Sequence, residues 1–263
     1  MPVVKTLENL QNKNFLIKSL KILNQNEWQP LKETLETFFI SKVSLLLPLM
    51  EENNIREKIQ KGAEDLFMRY GVRSISMDDI ARHLSVSKKT LYQHFADKED
   101  IVTVTCKAHL ERHEEEFMSI RKTARNAIEE LFHLSQCVRR NLQDMNPSLL
   151  FDLQKYHPKA WNVWLDHKNK FIREAVVRNL KEGIADAYFR PEMDPEIIAA
   201  VRLEMIQIAF NEELFPREKY RLPEVQMQIF DHFIFGLLTE KGRKLYLKYK
   251  EVNNQSTHKS TVV

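Results

Sequence analysis

Between Pro48 and Pro147 the chain contains no proline. Proline fixes φ and removes a backbone donor, so a stretch this long without it can run as nearly continuous helix. Few alternating β-branched residues compete with that reading. Ile55, Ile59, Ala63, Leu66 and Phe67 recur at helical spacing, and Gly71 follows where a left-handed cap would close the helix. The other glycines, Gly62, Gly183, Gly236 and Gly242, are not closely spaced. A phosphate loop or dinucleotide fingerprint needs clustered glycines so that backbone can approach phosphate, which argues against a nucleotide-binding α/β enzyme.

Short helices follow the first. Ser76 stands three residues before Asp79, the spacing of a capping box, and opens a helix whose inner face is Met77, Ile80, Ala81 and Leu84. Ser87 can cap a third helix that turns Leu91 and Phe95 inward, and Asp97 a fourth that begins at Lys98 and carries Ile101, Val102 and Ala108. Beyond about Glu115 the pattern stays helical. Breaks are expected at Asn146-Pro147, at His157-Pro158, from Phe189 to Pro195 and from Pro216 to Pro223. Two large apolar segments, roughly Asp194 to Asn211 and Leu222 to Thr239, can serve as internal core or extend to a partner subunit.

Residues 1–49 are rich in Asn and Lys and form no obvious unit, apart from an amphipathic turn or two over Leu31 to Phe39. They are expected to be a flexible arm or an extension upstream of a start at Met50. Residues 253–263 are polar and expected to fray into a disordered tail. Lys and Arg exceed Asp and Glu by 40 to 37, so any role with nucleic acid must come from a local patch. Two cysteines, Cys106 and Cys137, suggest neither a disulfide framework nor a four-ligand zinc site and fit a reducing cytoplasm. No secretory signal is recognisable. The longest apolar run, Phe38 to Met50, is interrupted by Lys42 and Pro48 and falls short of the roughly 20 residues a membrane helix needs.

The pair MDDIARHL and KKTLYQHF, joined by a short turn, has the form of a helix-turn-helix, whose second helix enters the DNA major groove. With Leu91 and Phe95 inward, Lys88, Lys89, Tyr92 and Gln93 occupy the outward arc, and Thr90 and His94 its flank. Lysine suits guanine acceptors or phosphates, glutamine suits adenine, and tyrosine a phosphate or a thymine methyl. Helix starts at Ser76 and Lys98 offer further phosphate anchors, and Arg73 stands just ahead of the first.

The segments LFMRYGVRSISMDDIA and VSKKTLYQHFADKEDI, with the apolar spacing between them, resemble the DNA-binding domain of the tetracycline-repressor (TetR) family of transcriptional regulators. The resemblance covers about a fifth of the chain. It implies an all-α fold: an N-terminal three-helix helix-turn-helix DNA-binding domain over residues 50–105, then a larger helical effector-binding and dimerisation domain over residues 106–252. It implies DNA contacts at Ser87, Lys88, Lys89, Thr90, Tyr92, Gln93 and His94, together with Ser76 and Lys98. Arg73 joins this set on the residue reading. The partners implied are double-stranded operator DNA, a small-molecule effector of unknown identity and a second copy of the chain, joined through the two large apolar helices.

Phe151, Trp161, Trp164 and Met205 are candidate effector-pocket residues, the two tryptophans because they follow the His157-Pro158 break. His109 with His113 and His133 with Cys137 have the i, i+4 spacing of metal ligands but no evident third ligand, so no metal or other cofactor is expected. No GxSxG elbow or ordered Ser, His and Asp set supports catalysis. The resulting expectation is a sequence-specific regulator, a repressor released by an effector. Its alternatives are a non-specific DNA-binding protein and an effector-binding protein that no longer reads DNA.

Overall fold

The computed structural model describes residues 54–260, with side chains to residue 252. The expectations for residues 1–49 lie outside the described residues. The chain separates into units of residues 1–57 and Lys58–Val263, and the architecture is that of the second. Helix α1 (residues 54–70) ends at Gly71, whose φ of +80° is the left-handed cap conformation. Helices α2 (Met77–His83) and α3 (Lys88–His94) lead into a long α4 (Lys98–Thr123). Then come α5 (Ala127–Leu142), α6 (Leu149–Tyr156) and α7 (Pro158–His167). A π-helical turn, Lys168–Ile172, joins α7 to α8 (Arg173–Ala185). Helices α9 (Pro195–Ile208), α10 (Leu222–Leu237) and α11 (Glu240–Ser260) complete the described chain.

The breaks fall where proline and asparagine placed them. His157 takes a non-helical conformation and Pro158 occupies the first turn of α7, where its missing N–H costs nothing. Asp194 caps α9 by accepting from the backbone N–H groups of Glu196 and Ile197. α9 and α10 stop at Ile208 and Leu237, two to three residues before the expected ends. The polar tail expected from residue 253 differs from the helical backbone that continues to Ser260. Charge obscured α11 in the sequence, yet Leu245, Tyr246 and Tyr249 pack into the body core, and the Tyr246 hydroxyl donates to Asp231 at 2.8 Å.

Two large apolar clusters organise the fold. One centres on Ile59, Phe67, Ile80, Leu91, Phe95 and Ile101 of the head and runs on without a break into Leu150, Leu153, Ala160 and Trp164 of α6 and α7. The other joins α5, α8, α9, α10 and α11 around Ile128, Leu180, Phe230 and Ile234. α4 crosses residue 105 as one unbroken helix, so head and body share a rigid rod.

Candidate nucleic-acid interface and ligand cavity

The helix-turn-helix is built by caps and two anchors. Ser76 and Asp79 form the reciprocal box: the Asp79 N–H donates to Ser76 Oγ at 3.2 Å, and the Ser76 N–H donates to Asp79 Oδ2 at 2.9 Å. The Ser76 hydroxyl, which also donates to Asp79 Oδ2 at 2.5 Å, and the Ser76 N–H together hold the Asp79 carboxyl below its usual range. In the turn, Ser85 adopts a φ of +55°, and the Val86 N–H donates back to the Ala81 carbonyl. The Ser87 hydroxyl then caps α3 by accepting from the Thr90 N–H at 2.9 Å. Leu91 and Phe95 are 0% and 1% exposed. That burial fixes the rotation of α3, leaving Lys88, Lys89, Tyr92 and Gln93 exposed and Thr90 and His94 half-buried.

The candidate contacts differ in what holds them. Lys88 Nζ lies 2.7 Å from Asp78 Oδ1 on α2, and this contact raises its pKa. The Ser76 and Ser87 hydroxyls are engaged in caps. Arg73 lays its guanidinium over the Tyr156 ring, 5.2 Å from the centroid. Lys98 Nζ reaches the Arg73 carbonyl at 3.5 Å. Burial lowers the Lys98 pKa, while Asp152 and Asp79 pull it back up.

A set of polar contacts that the sequence did not single out ties the head to α6 and α7. Buried Asp152 accepts from the Arg73 backbone N–H at 3.0 Å, next to the Gly71 cap. The Asn146 N–H donates to the Met68 carbonyl at 2.6 Å. On α4, Glu99 meets His157 Nδ1 at 2.6 Å and accepts from the Lys159 N–H at 2.9 Å. The available signal was an aspartate inside the apolar run LLFDLQ, a residue that is buried only where it finds donors.

A cavity of about 220 Å³ lies between α1 and the helices from α4 to α10. Its walls are mostly apolar, with Leu131, Leu153, Trp164 and Phe230 among them. Of the four pocket candidates, Trp164 lines this cavity and the other three do not. Phe151 is 52% exposed beneath Lys155, because α6 turns Leu150 and Leu153 inward instead. Trp161 packs against the head cluster and Met205 against the body cluster.

The paired histidines and cysteines serve packing. His109 Nδ1 is bonded to Glu64, which also meets Arg112, and the His109 ring lies 4.1 Å from that of His113. Burial and the neighbouring His109 push His113 down to about 4, so it is neutral near pH 7. Burial pushes the Cys106 and Cys137 thiols up to about 12, removing thiolate character. Among the described residues, no group of three His, Cys, Asp or Glu side chains is placed to hold a metal ion. Nor is any described helix long and apolar enough to cross a membrane.

Residues 59–104 match the family model for bacterial regulatory proteins of the tetR family. The HTH-type transcriptional repressor KstR2 of Mycobacterium tuberculosis is 24% identical over 149 residues, which is 56% of this chain and 74% of that protein. A Staphylococcus aureus HTH-type transcriptional regulator, SAUSA300_2515, is 46% identical over 46 residues, 18% of this chain and 25% of its own. The crystal structure of a TetR-family transcriptional regulator from Agrobacterium tumefaciens superimposes at a TM-score of 0.61 with 15% identity, covering 72% of this chain and 100% of that one. That likeness shows the same all-α arrangement of an N-terminal helix-turn-helix and a helical body.

Proposed function

Because this chain belongs to the TetR family of transcriptional regulators, we propose that it is a repressor that binds a palindromic operator as a homodimer and is released by a small molecule in the 220 Å³ cavity. The observation that carries the reading is α3 itself. Leu91 and Phe95 lock its inner face, and the exposed arc presents Lys88, Lys89, Tyr92 and Gln93 together. Thr90, His94, Ser76, Ser87, Arg73 and Lys98 are assigned supporting contacts around that arc, and Lys88 exchanges Asp78 for DNA. No residue is assigned a catalytic role, and the site of action is the cytoplasm.

For the dimer, the support is an exposed apolar stripe on α9. Ile197, Val201 and Ile208 are 64%, 45% and 44% exposed, and Phe235 on α10 is 37% exposed. Pairing these helices about a two-fold axis would bury the stripe and set two α3 helices for half-sites about one DNA turn, roughly 34–36 Å, apart.

Coupling between ligand and DNA is assigned to α6 and α7. Leu150, Leu153 and Trp164 on these helices line the cavity, while Asp152 and His157 hold the head. A ligand that favours a displaced α6–α7 pair shifts the heads out of register, by no more than its difference in affinity for the two states. A gel shift on the DNA upstream of its own coding region, run with wild type and with Lys88→Ala/Lys89→Ala, tests the reading. Loss of on the order of tenfold or more in affinity is expected; unchanged affinity would overturn the recognition-helix assignment.

A further inference from the structure

Buried charges in the described residues have partners, with one exception. Glu129 is held by Arg125, Glu130 by Arg178 and Asn179, Asp152 by the Arg73 N–H, and Lys168 by Glu204 and Gln207. His157 and His167 each face a glutamate, Glu99 and Glu114. Arg202 does not share this pattern. It is 4% exposed on α9, lines the cavity, and has a buried guanidinium nitrogen with no hydrogen-bond partner. The guanidinium carbon lies over the faces of Phe230 and Phe233, 4.5 and 5.4 Å from the ring centroids. Burial alone pushes it down to about 9, still charged near neutral pH, with no carboxylate offsetting the cost.

A buried cation without a counter-ion is costly unless something supplies the missing charge. One turn before Phe230 on α10, Gln226 also lines the cavity, is 3% exposed, and has a side-chain oxygen without a partner. The orientation of an amide is interchangeable, so Gln226 can turn its NH2 toward an anion. The remaining unpartnered buried polar atoms among the described residues, Thr105 Oγ1 and Trp164 Nε1, belong to residues that line the same cavity. The unmet demand for hydrogen bonds is therefore concentrated around this space; its other walls are mostly Leu, Val, Ile and Phe, and the carboxylates among them, Glu64 and Glu130, are already held by His109 with Arg112 and by Arg178 with Asn179.

We propose that the cavity takes an apolar ligand with a single carboxylate head, seated against Arg202 and Gln226 with its hydrocarbon body among the leucine and phenylalanine side chains. The volume lies below the roughly 300–1,000 Å³ of pockets for drug-sized ligands, which suits a medium-chain or compact ring acid. The guanidinium supplies a charge-assisted fork for the carboxylate, and the aromatic faces beneath it hold that fork in place. The inference rests on the proposed function only in taking the cavity as a ligand site.

Calorimetric titration of the full-length protein, in the absence of DNA, tests it with octanoate, octanol and octylamine, and with hexanoate and dodecanoate to vary length. Wild type is expected to bind at least one acid on the order of tenfold or more tighter than the alcohol and the amine. Arg202→Met should abolish that preference and melt at a higher temperature than wild type, because it removes an unpaired buried charge. Arg202→Lys, which keeps the charge, should retain part of the preference if the methionine variant does not fold. Equal binding of octanol or octylamine, no binding of any acid in the series, or an acid preference that survives in Arg202→Met would overturn the proposal. So would a lower melting temperature of folded Arg202→Met with no change in acid binding, which would assign Arg202 to packing on Phe230 and Phe233. An acid that binds at Arg202 but leaves operator binding unchanged supports the anion site and removes the effector role proposed above.

Discussion

Replacing Asp152 by alanine removes the carboxylate that accepts from the Arg73 backbone N–H at 3.0 Å. The same carboxylate accepts from the Ser148 hydroxyl at 3.4 Å, but that hydroxyl also reaches Asn146 Oδ1 at 2.9 Å and keeps a partner in the variant. The loss is one hydrogen bond to a charged acceptor, about 1.5–3 kcal/mol, little screened because Asp152 is 5% exposed, together with its attraction for Lys98. Asp152→Asn keeps an acceptor without the charge and should lose about half as much. Urea unfolding followed by circular dichroism reads the change as a lower midpoint at constant slope. The same carboxylate joins the loop before α2 to α6, so the variant should also bind operator more weakly and respond less to the ligand. An Asp152→Ala midpoint equal to that of wild type would refute the idea that this carboxylate holds the head to the body.

Ser85→Val should lower stability by about 1–2 kcal/mol, because a β-branched side chain is strained at the φ of +55°; Ser85→Gly should stay close to wild type in the same unfolding assay. Gly183→Ala should cost about 1–3 kcal/mol, since a Cβ there would overlap the buried Phe189 ring. A melting temperature equal to wild type would show that the ring can move aside. His113, lowered from 6.5 to about 4 by burial and His109, takes up its proton later in the folded state than in the unfolded one. Its contribution is full above pH 6.5 and is lost as pH falls toward about 4. Unfolding midpoints measured across that window should fall less steeply with acid in His113→Phe than in wild type.

The head was legible in the sequence because its information is local. Ser76, Ser87 and Asp97 cap the helices that follow them, Gly71 takes the left-handed turn, and the i, i+4 pair Leu91 and Phe95 sets the outward arc of α3. The body was less legible because its site is made from residues far apart in the chain. Nothing near Arg202 in sequence shows that Phe230 and Phe233 will lie beneath it, and Trp161 and Trp164, which both pack on the head cluster, look equivalent until the rotation of α7 brings only Trp164 to the cavity. α11 was hidden by its charge, since periodicity with three aromatic or aliphatic anchors is weak beside lysines on the same turns. Lys88 lies on the exposed face that the spacing gives it, but its contact with Asp78 depends on the crossing of α2 and α3, which helical spacing alone does not specify.

Whether α3 reads operator DNA in a symmetric dimer is decided by selecting bound fragments from random-sequence DNA with the purified full-length protein. Enrichment of a palindromic consensus whose half-sites lie about one helical turn apart is expected, with loss of that consensus in Lys88→Ala/Lys89→Ala. Binding without sequence enrichment, or a consensus that survives the double substitution unchanged, would contradict that reading of α3.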